Sequence, residues 1–442
     1  VEAIPHVCDE IIKRIKDAGR VEKSDVVIVE LGGTAGEYQN ALYYEASRIM
    51  KIVHKDTVVH VHVSYLPAPM HLGEPRTKPT QLSVRYLNSM GIQPDFIVCR
   101  GEKEIDLRRR ERLAMFCNVE AGDVINNPDE KTPYSVPLRF KKQEFDVKIL
   151  KKLGLPEGKL DLRSWEKMAA KIDKTAQEIT IAIVVKYFAT GDYQLRDSYA
   201  ALFDALDHAG WYYGFNVKAL WVNAEKLQNQ NEKEILKSID GLIVPIGWGE
   251  RGVEGMIKAI KFSRESKIPY LGLCYGMQLA VVEFARNMAG LDGANSVEVN
   301  PKTKYPIIHM NVMQKENASR RAYGGTMRLG RWDCQVKDGT ISFDSYSKFA
   351  GFSDKNKHVV AERHRHRYEF NDKYAQLLEE KGLVFAGRSI LENLAEIIEL
   401  PKSIHPFFVG TQFHPEYKSR PLNPHPIFLS FIDACIKNYG IL

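Results

Sequence analysis

The stretch Gly272-Leu273-Cys274-Tyr275-Gly276-Met277-Gln278 sets a cysteine between two glycines directly after an apolar run. Upstream, Ile268-Pro269-Tyr270-Leu271 reads as a short buried strand; downstream, Met277 to Met288 carries apolar residues at helical spacing. Cys274 therefore falls on a strand-to-helix turn, the layout of a nucleophile elbow, where the side chain is expected to stand exposed and the helix N-terminus favours its thiolate. A thiolate that attacks an amide needs a proton-shuttling base. Gly410-Thr411-Gln412-Phe413-His414-Pro415-Glu416 offers one far downstream, an imidazole with a carboxylate two residues on to orient it. The reaction also needs donors for a tetrahedral oxyanion, preferably backbone N–H groups. The segment from Gly241 through Val244, Pro245 and Gly247 to Gly252 reads as a buried strand running into a glycine-rich turn, so the N–H groups of Gly247 and Tyr275 are the expected pair.

Taken singly these features are ordinary. Most lone cysteines are small buried hydrophobes, His-x-Glu is common, and glycine turns end many strands. Their joint occurrence is what points to a cysteine hydrolase.

Bulk properties narrow the classes. A chain of 442 residues with 44% apolar and 27% charged residues has the composition of a globular protein of two or three domains. A net charge of +6 tolerates anionic ligands such as nucleotides without implying a nucleic-acid surface. The run Arg363-His364-Arg365-His366-Arg367 reads as a lone basic cluster, without any nucleic-acid module beside it, so no nucleic-acid partner is expected. The six cysteines, at 8, 99, 117, 274, 334 and 435, are scattered and form no C-x-x-C pair, which argues against a cysteine zinc site and a disulfide scaffold. With no apolar run of about 18 residues, no membrane partner is expected and the cytoplasm is the expected compartment.

Along the first part of the chain, apolar strands alternate with helical stretches: Asp25 to Glu30, Tyr43 to Ile52, Thr57 to Val63, Ser83 to Met90 and Asp95 to Cys99. Such alternation implies parallel α/β architecture. From about Lys141 to Lys174 the composition turns lysine-rich and strands disappear, as in helices joining two domains. A second series begins at Ile179 to Lys186 and continues through Val217 to Val222 and Gly241 to Val244 to Pro269 to Leu273. The expected division is 1–142, a helical linker 143–178, and 179–442. In the first domain the strand Val26 to Val29 is expected to end in Glu30 and the turn Gly32-Gly33, leaving a carboxylate beside approachable backbone, as a magnesium ligand near phosphates would need.

At this point the chain resembles a family. The G-x-C-x-G-M-Q elbow, the loop Pro245-Ile246-Gly247-Trp248-Gly249-Glu250-Arg251-Gly252-Val253-Glu254-Gly255 and Phe413-His414-Pro415-Glu416 are similar to class I glutamine amidotransferases. Ala294-Asn295-Ser296-Val297-Glu298, Gly324-Gly325-Thr326-Met327-Arg328-Leu329-Gly330 and Glu362 to Glu369 resemble the CTP synthases in particular, as do Leu31-Gly32-Gly33-Thr34-Ala35-Gly36-Glu37 and Gly73 to Gln81 in the first half. The resemblance implies an α/β protein of two domains. The first is a P-loop-type synthetase domain and the second a glutaminase domain. It implies amination of UTP to CTP with ATP and with ammonia from glutamine, Mg²⁺ as the metal, GTP as allosteric activator and a homotetramer.

Residue by residue, the resemblance makes Cys274 the nucleophile, His414 the base and Glu416 its orienting group. Gly247, Tyr275, Gly276, Met277 and Gln278 would line the oxyanion hole and glutamine pocket, with Glu298 and Arg367 on the amino-acid end. Arg76, Thr77, Lys78, Pro79, Thr80 and Gln81 match a UTP-binding segment, and Glu30 the Mg²⁺ ligand. Glu37, Tyr38 and Gln39 stand where the family has the D-I-E that contacts CTP, Ile246-Gly247 where it has paired glycines, and Pro128 where bacterial members usually carry a basic residue. No G-x-x-x-x-G-K-[ST] occurs in the 442 residues. Together with Val1 as first residue, this gives the expectation that about a hundred residues of an α/β domain lie upstream, and that the chain alone keeps only the glutaminase half-reaction. A different class I amidotransferase serving GMP or anthranilate synthesis, and a non-catalytic assembly module, are the alternative readings.

Overall fold

Between Asp173 and Lys174 the chain passes from one folding unit into another. The computed structural model describes residues 2–71, 73–186, 189–190, 193–194, 196–310 and 327–440. Gly324, Gly325 and Thr326 of the family-like segments lie outside them.

The first unit is built on three parallel strands in the order Val61–Tyr65, Phe96–Gly101, Val124–Pro128. The central strand is almost wholly buried, as a strand covered on both faces must be. The helix Lys78–Ser89 opens with a proline in its first turn, where the missing N–H has no intrahelical partner to lose. It buries Thr80, Gln81, Val84 and Leu87, the spacing of one helical face. On the other side Phe145 meets Phe96 edge-on, ring centroids 5.2 Å apart. The lysine-rich stretch forms three helices, Val136–Lys142, Phe145–Lys152 and Arg163–Lys174, which pack with the first unit.

One expected strand is not there. Residues 25–30 form no strand, and Val26, Val27, Ile28 and Val29 are 44, 41, 91 and 51% exposed. An extended apolar run becomes a strand only where a neighbour completes its ladder, and no described strand pairs with this segment. Glu30 consequently sits on an exposed coil and not at the carboxyl end of a sheet strand.

The main sheet of the second unit has nine strands among the described residues. Their order is Val359–His366, Arg328–Val336, Val384–Ser389, Ala395–Glu399, Phe408–Thr411, Tyr270–Leu273, Gly241–Val244, Gln177–Val185, Phe215–Asn223. The last five run parallel to one another, and the first four join them as antiparallel neighbours. Helices Val253–Ser266 and Tyr275–Asn287 bury one face of the sheet, with Ala182, Val184, Leu242 and Val244 beneath them. Ala200–Tyr213 and Pro426–Tyr439 cover the other, over Ile181, Ile183, Ile243 and Leu271. The result is a three-layer sandwich whose loops at the carboxyl ends of the parallel strands are free to build a site.

Candidate active site

Three adjacent parallel strands deliver the three chemical elements. Phe408–Thr411 pairs with Tyr270–Leu273, Thr411 opposite Leu273, and Tyr270–Leu273 pairs with Gly241–Val244, Val244 opposite Gly272. Because all three run the same way, the residues that follow them leave the sheet side by side: Gln412 to Glu416, Cys274, and the glycine loop.

Cys274 is the N-cap of the helix Tyr275–Asn287 and holds φ +52°, ψ −94°. Side chains other than glycine seldom adopt that backbone, and here hydrogen bonds fix it on both sides. Its N–H donates to the carbonyl of Thr411 at 2.6 Å, and its carbonyl accepts the Gln278 N–H at 3.2 Å. The flanking glycines permit the close approach that forces this turn. A Cβ on Gly276 would stand 2.0 Å from the Val244 carbonyl oxygen, and one on Gly272 would stand 2.9 Å from the Met277 nitrogen. The expectation of an exposed side chain is corrected: Cys274 is 4% exposed, covered by the loop after Thr411. From that loop the Gln412 amide donates to the sulfur at 3.5 Å, and Gln412 in turn accepts from the Gln278 amide at 3.1 Å.

His414 is fully buried, and its Nδ1 lies 2.7 Å from a carboxylate oxygen of Glu416. The ring stacks on Tyr417 with centroids 5.0 Å apart. Its N–H is anchored to the Arg363 carbonyl at 2.8 Å. Burial opposes a charged imidazole, but the negative charges of Glu416 and then Cys274 outweigh it and hold the pKa well above its ordinary 6.5. With Nδ1 committed to Glu416, Nε2 is the nitrogen left for chemistry with Cys274, whose interaction with the ring also raises the imidazole pKa.

The glycine loop is cross-braced. The Gly249 N–H donates to Glu298 at 3.0 Å, and Lys186 reaches the carbonyls of Trp248 and Gly249. Burial raises the Glu298 pKa, opposed by the Gly249 N–H and by the positive charges of Lys186 and Arg367. Glu298 and Arg367 thus belong to one electrostatic neighbourhood, beside Tyr368, whose carbonyl accepts from Gln278 at 2.9 Å.

Residues 1–155 match the family model described as CTP synthase N-terminus, and residues 194–434 match glutamine amidotransferase class-I. A CTP synthase of Caldanaerobacter subterraneus subsp. tengcongensis is 46% identical over 437 residues, covering 99% of this chain and 78% of that protein. The chain belongs to the CTP synthase family. A CTP synthase of Bacillus subtilis is 42% identical over 438 residues, again covering 99% of this chain and 78% of its own length. Among solved structures, the glutaminase domain of Trypanosoma brucei CTPS with bound acivicin is 34% identical with a TM-score of 0.51, covering 59% of this chain and 94% of that one. Membership makes the enzyme a glutamine-hydrolysing carbon–nitrogen ligase.

In the first unit of this CTP synthase family member, the nucleotide-segment residues divide. Thr77, Thr80 and Gln81 are buried, with Thr80 accepting from Ser64 at 2.8 Å and Gln81 donating to Thr77 at 3.2 Å. Arg76, Lys78 and Pro79 are exposed; Arg76 pairs with Glu74 at 3.0 Å, and the Lys78 ammonium lies 5.7 Å from the Phe116 ring centroid. Glu37 folds back on its own loop, accepting from the Thr34 N–H at 2.8 Å and from Gln39 at 2.5 Å, while Tyr38 is 93% exposed. Pro128 ends the strand Val124–Pro128. Glu30 makes no hydrogen bond or ion pair to any described residue. It offers one exposed carboxylate, a hard oxygen ligand of the kind Mg²⁺ takes alongside water and phosphate, without the strand that was to aim it.

The basic-cluster reading is also corrected. Along the strand Val359–His366 the residues alternate, Arg363 and Arg365 exposed, His364 and His366 buried. Inside, His364, His366 and Glu396 place ligand atoms within 4.8 Å of one another. Arg328 already bonds Glu396 and supplies the positive charge there, which opposes a metal cation. Cysteine spacing carries no information about this cluster; the period-2 alternation of the histidines is the signal in the sequence. No described helix is long and apolar enough to cross a membrane, and all six cysteines are unbridged.

Proposed function

We propose that the second unit hydrolyses glutamine at Cys274 and that the ammonia serves amination of UTP to CTP. The observation that carries this reading is the convergence of Cys274, the His414–Glu416 pair and the braced glycine loop at the ends of three neighbouring strands. The Cys274 thiolate attacks the side-chain amide carbon, forming the C–S bond and pushing the carbonyl electrons onto oxygen. The N–H groups of Gly247 and Tyr275 receive that oxyanion. His414 Nε2 then gives its proton to the leaving nitrogen, ammonia departs, and a thioester remains. The neutral imidazole next takes a proton from water as its oxygen attacks the thioester, releasing glutamate and restoring the thiolate and imidazolium. Glu416 holds the ring in position throughout. Glu298 receives the substrate's ammonium and Arg367 its carboxylate, while Gly276, Met277 and Gln278 line the pocket.

In this division of labour residues 1–142 serve the synthetase reaction, 143–178 join, and 179–442 form the glutaminase. Arg76 and Lys78 place two cations for the UTP triphosphate, with Thr77, Pro79, Thr80 and Gln81 shaping the segment; Glu37, Tyr38 and Gln39 face the product. ATP phosphorylates the uracil 4-oxygen, and ammonia displaces that phosphate at the same carbon. Glu30 would be the protein's ligand to Mg²⁺, and the ion would supply neutralisation of the nucleotide phosphate charge. GTP activation, a homotetramer and a cytoplasmic setting complete the proposal. Relatives named CTP synthase that align with nearly the whole chain support it. The narrower expectation, that the chain alone keeps only the glutaminase half-reaction, finds no support in relatives that match across both units. Neither do they favour a different amidotransferase or a non-catalytic module.

The test compares the parent with Cys274→Ala. Ammonia release from glutamine should vanish in the variant, while amination of UTP fed with ammonium and ATP should match the parent. Equal glutamine-dependent ammonia release from both proteins would sink the glutaminase reading.

A further inference from the structure

Lys186, the residue after the strand Gln177–Val185, is 1% exposed, an unusual place for an ammonium group. Its Nζ donates to the Trp248 carbonyl at 2.9 Å, to the Gly249 carbonyl, and to the Tyr275 hydroxyl at 3.0 Å. The Tyr275 hydroxyl itself donates to the Gly249 carbonyl at 2.6 Å, and the ammonium lies 4.3 Å from the Tyr275 ring centroid. One buried cation therefore ties the glycine loop to the first residue of the elbow helix. A trans peptide points its C=O and N–H in opposite directions. Drawing the Trp248 carbonyl inward to Lys186 turns the Gly249 N–H outward, where it meets Glu298 at 3.0 Å. A Cβ on Gly247 would sit 3.2 Å from the Tyr275 ring and 3.7 Å from Lys186 Cε, so the loop lies directly against this brace.

We propose that Lys186 is a positioning residue that holds the two halves of the oxyanion hole, the glycine loop and the Tyr275 end of the helix, at a fixed separation. This rests on the glutaminase reading of Cys274 and adds the group that pre-organises its donors. Lys186 need not touch substrate. Its contribution is to remove the reorganisation that a free glycine loop would require as the oxyanion forms. Burial brings the ammonium down to about 8, opposed by the Glu298 carboxylate and assisted by the Arg251 guanidinium, which also donates to the Lys186 carbonyl at 3.2 Å. The brace is charged below that pH and loses its charge above it.

The experiment uses the full chain and two readouts, glutamine turnover and alkylation of Cys274 by iodoacetamide, a neutral reagent that forms no oxyanion. In Lys186→Met, kcat for glutamine should fall about 100-fold, with alkylation within about twofold of the parent, and the parent's loss of activity above pH 8 should be absent. A kcat within threefold, alkylation falling in step with turnover, or an unchanged alkaline limb would overturn the proposal. Should the buried methionine prevent folding, Tyr275→Phe removes one strand of the brace alone. A kcat about tenfold lower with unchanged alkylation supports the proposal, and unchanged kcat refutes it. No ammonia release from the parent would defeat the glutaminase reading itself, and this one with it.

Discussion

Thr411 stands opposite Leu273 in the parallel ladder, and its carbonyl takes the N–H of Cys274 at 2.6 Å. The bond joins the last residue of one strand to the first residue beyond its neighbour, so the nucleophile and the loop carrying His414 share one register. A slip of one residue would reverse which face each side chain takes and part the thiol from its base. Sheet pairing, more than any contact between the two side chains, is what brings together groups so distant in sequence.

That dependence makes Gly276 a sensitive position. Its absent Cβ lets the elbow helix rest on the Val244 carbonyl, which an added methyl would meet at 2.0 Å. Backbone cannot swing aside as a flexible side chain can. Gly276→Ala should lower stability by about 1–3 kcal/mol and abolish measurable ammonia release, because the helix must lift and carry the Tyr275 N–H with it. Thermal unfolding and a glutaminase assay check the two halves. An alanine variant with parental melting and turnover would contradict the close approach.

Glu416→Gln addresses the imidazole. The carboxylate is the largest influence raising the His414 pKa against burial, and its removal leaves the ring more often neutral and less firmly oriented. A fall in kcat of about 10²- to 10⁴-fold is expected, by analogy with carboxylate loss in other triads. The sign for stability follows from a folded pKa above 6.5. The His414 contribution is fully present below 6.5 and is lost as pH rises through the folded value. The parent should therefore exceed the variant in stability most at mildly acid pH, and the gap should narrow toward alkaline pH. Chemical denaturation at several pH values reads this directly; a gap that widens with pH would be the wrong sign.

The elbow was legible because three local signals agree there: an apolar run of strand length, a glycine frame, and helical periodicity after it. Residues 25–30 carry an apolar run and a glycine turn as well, but a strand also requires a partner that local sequence does not specify. Glu298 and Arg367 came from resemblance, since nothing in their spacing predicts that distant loops meet. Lys186 was visible only as the last residue of a strand; its role depends on where the carbonyls of Trp248 and Gly249 point, which the sequence leaves open. The run from Arg363 to Arg367 shows the opposite failure, for its alternation was readable but its composition drew attention to charge.

Gln412 follows Thr411 and donates its amide to the Cys274 sulfur at 3.5 Å while accepting from Gln278 at 3.1 Å. A donor aimed at sulfur stabilises thiolate over thiol. Gln412→Leu should slow iodoacetamide alkylation of Cys274 at neutral pH and lower kcat/KM for glutamine about 10- to 100-fold, the range for a hydrogen bond to a charged group. An unchanged alkylation rate would show that the amide does not act on the thiolate.

Arg328 is 4% exposed and bonds Glu396, which is completely buried between His364 and the strand pairing toward Gln412. Burial pushes the Glu396 carboxyl up to about 7 even with Arg328 pulling the other way. Removing the guanidinium leaves that carboxyl to be buried without its counter-charge, whereas removing both partners leaves no stranded charge. Arg328→Met should cost about 3–5 kcal/mol, and the double variant Arg328→Met with Glu396→Leu should recover much of that loss. Denaturant melts of the single and double variants decide it. If the double variant is less stable than Arg328→Met by the full cost of a second independent lesion, the pair is not coupled and the buried charge is neutralised by other means.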